Sequence, residues 1–66
     1  MQKVILTSNG AQVNRFYVRE FVTAQNAVIN HMANDRQNNR ATITDENTGD
    51  LRVYSWLHGE LRIAVF

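Results

Sequence analysis

The sequence predicts an α+β fold, a mostly antiparallel sheet with one helix packed on one face, and three observations carry that prediction. Residues 3–7 are a short run of strand-forming side chains, and residues 51–57 and 61–66 alternate side-chain character with the period of two that a strand requires. Asn9-Gly10 follows the first of these runs and supplies the positive φ of a tight hairpin turn. One stretch alone, residues 16–33, holds a continuous helical spacing, and no second helix competes with it. At 66 residues the chain is a single compact domain, residues 1–66. A domain of this size buries only about 60% of the surface its unfolded chain exposes, so its stability is modest.

In chain order, residues 3–7 form the first strand and end at Ser8-Asn9-Gly10. With those three residues as the loop and a bulge at Gly10, Thr7 pairs with Ala11. Val4 and Leu6 then share a face with Asn14, Phe16 and Val18, while Lys3, Ile5, Val13, Arg15, Tyr17 and Arg19 take the other. Residues 16–33 admit two readings. In the first, strand two runs over residues 12–22 and Thr23 caps a helix over 24–34, with Ala24, Ala27, Val28, His31 and Met32 toward the sheet. In the second, one long helix begins after Asn14 and the order becomes β-α-β-β-β. We prefer the first, a β-β-α-β-β-β order, because Phe16-Tyr17-Val18 and Phe21-Val22-Thr23 favour strands and the Asn-Gly turn needs a partner.

Residues 34–40 are polar and Asn-rich and form a loop. A short strand over 41–44, an acidic turn over 45–50, a strand over 51–57, a turn at His58-Gly59-Glu60 and a last strand over 61–66 complete the chain. Setting Leu51, Val53 and Leu57 against the helix sends Arg52, Tyr54 and Trp56 outward; in the last strand Leu61, Ile63 and Val65 point in and Arg62, Ala64 and Phe66 out. The expected outer face therefore joins Arg15, Tyr17, Arg19, Arg52, Tyr54, Trp56 and Arg62. Arg, Tyr and Trp dominate binding hot spots, and the same residues stack on bases and pair with phosphates. The alternative role for such residues is structural, as cross-strand pairs overlaid by arginine stems.

The formal charge of +1, from 7 basic and 6 acidic residues, is too small to signal nucleic-acid binding by itself. With no Cys, disulfides and thiolate zinc sites are excluded, and the composition fits a reducing cytoplasm. No signal peptide and no membrane span are expected. Self-association, as a homodimer, is one way so small a domain gains stability. His31 and His58 lie far apart in the sequence without neighbouring ligands, so neither predicts a metal. The acidic turn has the oxygen-rich look of a calcium loop, but Trp56 stands at the twelfth position from Asp45, where such a loop needs a glutamate. Ser8 and Ser55 lack a neighbouring base, Glu20 reads as an ion-pair partner, and no glycine belongs to a phosphate-cradling loop. Neither an enzyme nor a cofactor is expected.

The order of elements, a hairpin, then Thr23-Ala24-Gln25-Asn26-Ala27 at a helix start, then residues 41–44, an acidic Gly-containing turn and a Tyr/Trp-bearing strand, resembles small phage-encoded inhibitors built as a sheet with one helix. Among these it is most similar to anti-CRISPR proteins that act on type I surveillance complexes, and less so to phage inhibitors of host RNA polymerase. The resemblance implies a cytoplasmic, non-enzymatic protein that binds and blocks a host protein or ribonucleoprotein complex. It transfers no individual residue. A small single-stranded nucleic-acid-binding module is the alternative expectation.

Overall fold

The computed structural model describes residues 1–66 as six elements. Strands β1 (Gln2–Ser8) and β2 (Ala11–Val18) form a hairpin, helix α1 (Phe21–Asn34) follows, and β3 (Asn39–Asp45), β4 (Leu51–Leu57) and β5 (Glu60–Val65) form a meander. All strand pairs are antiparallel, in the order β2-β1-β3-β4-β5. The expected α+β class and element order hold, and the single long helix does not form.

The first hairpin reaches its expected facing by a different route. Asn9 and Gly10 both have positive φ, at 53° and 80°, and make a two-residue turn in which Ser8 pairs with Ala11 and Thr7 with Gln12. Continued without interruption, that register would bring Arg15 opposite Val4 and point a guanidinium at the core. A one-residue bulge at Val13 prevents this: Leu6 pairs with Asn14, Val4 with Phe16 and Gln2 with Val18. The faces are those expected, while the Thr7–Ala11 pairing is not.

Strand β2 stops at Val18, short of the expected residue 22, where its last pair is with Gln2, the first residue of β1. The helix accordingly starts at Phe21, and Thr23 lies in its first turn rather than at its cap. Glu20 occupies the N-cap position without a side-chain cap bond. The earlier start adds Phe21 to a stripe of Ala24, Val28 and Met32 that packs on Val4, Leu6, Ala41, Ile43 and Tyr54. His31 fastens the last turn to the sheet by donating from Nε2 to the Thr7 carbonyl at 2.7 Å. Asn39 donates from Nδ2 to the His31 carbonyl at 2.7 Å and so caps the helix end.

The helix lies over β1 and β3, grazes β2 and β4, and does not reach β5. That offset leaves the outer part of the helix-side face, and the whole opposite face of the sheet, without a covering layer.

Candidate partner-binding surfaces

The phase of β4 is opposite to the expected one, and this divides the expected site between two faces. Tyr54 is fully buried beneath the helix. Its phenol donates to Gln25 Oε1 at 3.4 Å, and burial pushes its pKa above the ordinary 10.0, against the opposing charge of Arg52. Trp56 donates from Nε1 to the Met32 carbonyl at 3.1 Å, and the Arg36 guanidinium lies 5.9 Å from its ring centroid. Arg52 lies over the Phe21 ring at 4.4 Å. Arg52, Tyr54 and Trp56 thus hold the start, middle and end of the helix in turn. They are fixtures of the fold, not an outer binding face. The physical reason is volume together with a polar tip: an aromatic ring fills the space under the helix and still reaches a hydrogen-bond acceptor there.

Leu51, Val53, Ser55 and Leu57 instead face away from the helix. The face they join follows from the strand register. Tyr17, Lys3, Thr44, Leu51 and Phe66 lie side by side across all five strands, the last pair joined by backbone hydrogen bonds of 2.8 and 3.4 Å. A second row holds Arg15, Ile5, Thr42, Val53 and Ala64. Beyond it come Thr7 beside Arg40, and Ser55 beside Arg62. Of the expected site residues, Arg15, Tyr17 and Arg62 belong to this face. Arg15 and Tyr17 lie at one edge and Arg62 at the other, four strand spacings or roughly 19 Å away. Arg19 is exposed in the link between β2 and α1.

The open face carries apolar side chains on β1 and β4, on either side of the threonines of the central strand β3, with cations interspersed. Ile5, Leu51 and Val53 are half-buried by their neighbours alone, and Tyr17 and Phe66 stand exposed at the two ends of their row. Lys3, Arg15, Arg40 and Arg62 supply positive charge. Glu60, opposite Leu57, is the one carboxylate on these strand faces, and it bridges Arg62 at 3.1 Å. The other acidic side chains lie at element ends and in turns. Asp45 accepts from the amide of Asn47 at 2.8 Å, which lowers its pKa most, and from Gln2 Nε2 at 3.2 Å. Asp35 likewise accepts from the amides of Gln37 and Asn38 and from the Asn38 side chain, all of which lower its pKa. These carboxylates close turns and bind their own backbone.

Leu51 and Val53 are the members of this face that the sequence reading turned toward the helix; Lys3, Ile5 and Phe66 were expected to point outward but were not counted among the binding residues. The usable signal was Ser55, a small polar residue in phase with Leu51, Val53 and Leu57, which argued that this set does not meet the helix. On the helix side a cleft of about 130 Å³ lies between Gln2, Phe21, Ile43, Asp45, Asp50 and Arg52, with Asp45 already bonded to Gln2 and to its own turn. No three His, Asp or Glu side chains converge anywhere in the chain, and no helix is long and apolar enough to cross a membrane. Comparison with protein-family models, curated proteins and solved structures finds no match for this chain.

Proposed function

We propose that this chain is a non-enzymatic binding protein that docks on an acidic surface of a larger macromolecular complex through its open sheet face, and so inhibits or modulates that complex. One observation carries the reading. Five strands present an uncovered face with Ile5, Leu51 and Val53 on the strands flanking its threonine-bearing centre, Tyr17 and Phe66 at its ends, and four cations against one ion-paired carboxylate. Exposed aromatic and apolar side chains set among arginines on one uncovered face are characteristic of an interaction site. The type I surveillance complexes suggested by the order of elements are one candidate target.

Single-stranded nucleic acid fits this face less well. Sheets that read unpaired bases stack them on aromatic rings of their inner strands, whereas here β1 and β3 contribute Ile5, Thr42 and Thr44, and the rings stand at the two edges. The deciding test is affinity capture from bacterial lysate, with and without nuclease, using the wild type and the double variant Arg15→Glu, Tyr17→Ala. Both positions are exposed on an edge strand, so circular dichroism is expected to be unchanged. A protein complex retained by the wild type and lost by the variant supports the assignment. Equal retention by both sinks it, and recovery that requires intact nucleic acid favours the alternative.

A further inference from the structure

The two edges of the sheet are built differently. The free edge at β2 is bulged at Val13 and carries Gln12, Asn14 and Arg15, devices that deter another strand from adding to it. The free edge at β5 has no bulge, and its two charged side chains, Glu60 and Arg62, pair with each other at 3.1 Å. It is a regular strand of sequence Glu60-Leu61-Arg62-Ile63-Ala64-Val65, paired without a bulge to β4. The helix does not reach it, and Ile63 and Val65 are 48% and 65% exposed.

The hydrogen-bond phase of this strand follows from its far end. Phe66 and Leu51 exchange both backbone hydrogen bonds, so by alternation Ala64, Arg62 and Glu60 also spend their amides and carbonyls on β4. The amides and carbonyls of Leu61, Ile63 and Val65 therefore point outward, and their side chains lie on the helix side.

We infer that β5 pairs with β5 of a second copy, antiparallel about a twofold axis at Ile63, to make one continuous sheet. In that register Ile63 meets Ile63 of the second copy and Leu61 meets Val65 at both ends, so all three outward pairs exchange two hydrogen bonds each. On the open face Arg62 falls opposite Ala64 and Glu60 opposite Phe66, so no like charges are directly opposed. A second copy is the occupant because the edge is self-complementary in hydrogen bonding and apolar pairing. The interface is isologous and closes after two chains. It uses the strand edge, whereas partner binding uses the open face, so either can fail without the other.

Sedimentation velocity over a hundredfold range of protein concentration tests the pairing. The wild type is expected to move from one-chain to two-chain mass as concentration rises, with slowed amide exchange at Leu61, Ile63 and Val65 in the two-chain form. Ile63→Lys places like charges opposite each other at the axis, and it is expected to stay monomeric with unchanged circular dichroism. Mixing it with Ile63→Glu is expected to restore the two-chain mass. Should Ile63→Lys unfold, Arg62→Pro is not a substitute, because that amide binds β4; Val65→Lys, beside Leu61 of the second copy, takes its place. A wild type that remains monomeric throughout, variants that associate as the wild type does, or a mixture that fails to pair would each overturn the inference.

Discussion

Replacing Tyr54 with alanine removes a fully buried ring from beneath the middle of the helix, between Ala41 on the adjoining strand and Gln25 above. Truncating a buried aromatic to alanine costs about 3–5 kcal/mol. A domain of 66 residues has a total stability of about 3–10 kcal/mol at the usual value per residue, so Tyr54→Ala removes a large share of it or all of it. Tyr54→Phe keeps the ring and loses a hydrogen bond of 3.4 Å, which is at the long limit, so its cost stays under about 1 kcal/mol. Val53→Ala, on the open face one residue away, trims a half-exposed side chain and also costs about 1 kcal/mol or less. Urea unfolding of the three variants, followed by circular dichroism, separates them. At ~4–8 °C per kcal/mol, Tyr54→Ala either fails to fold or melts at least ~12 °C below the wild type. If instead Val53→Ala proves costly and Tyr54→Ala nearly neutral, the phase of β4 is wrong, and with it both surfaces described above.

Two further outcomes are expected. Trp56→Phe keeps the stacking partner of Arg36 but removes the donor to the Met32 carbonyl, and should cost about 1 kcal/mol, read as a lower urea midpoint with fastest amide exchange gained in the last helical turn. The Asp45 carboxyl is held below its ordinary value of 3.8 in the folded chain, so it contributes stability above that pH that is lost as pH falls through the lowered value. Urea midpoints measured at neutral pH and in steps below 3.8 should therefore fall more steeply for the wild type than for Asp45→Asn; parallel curves would remove the turn carboxylate from the account.

The fold was legible where a single physical demand acted on each residue. Strand-forming residues located β1, alternation located β4 and β5, and the Asn9-Gly10 pair located the first turn, because in each case backbone geometry selects the residue type. The helix stripe of Ala24, Ala27, Val28, His31 and Met32 was legible for the same reason, and all five are buried or half-buried. The facing of β4 was not. Leu51, Val53 and Leu57 count as more apolar than Arg52, Tyr54 and Trp56, but a helix that needs anchoring selects side chains with both bulk and a polar tip. Average hydrophobicity does not register that demand. Nor could local sequence show the sheet order, which places β3 between β1 and β4 and carries β2 and β5 to opposite edges. Gathering Arg15, Tyr17 and Arg62 with Arg52, Tyr54 and Trp56 therefore joined residues from opposite faces and distant strands.

The same sheet order links the two proposals. Pairing through β5 about an axis normal to the sheet keeps both helices on one side and both open faces on the other. The joined face then has its centre at the β5 seam, where Arg62, Ala64 and Phe66 of each chain meet, and its ends at Arg15 and Tyr17 on the two β2 edges. A partner confined to one β2 edge is indifferent to pairing, whereas a partner that spans the seam binds the pair better than the single chain. By mass action such a partner also tightens the pairing, by the same factor that pairing tightens its own binding. The dependence of partner affinity on the concentration of this chain therefore locates the contact along the sheet. An affinity that Ile63→Lys leaves unchanged puts the contact at the β2 edge, and one that it weakens puts it at the seam.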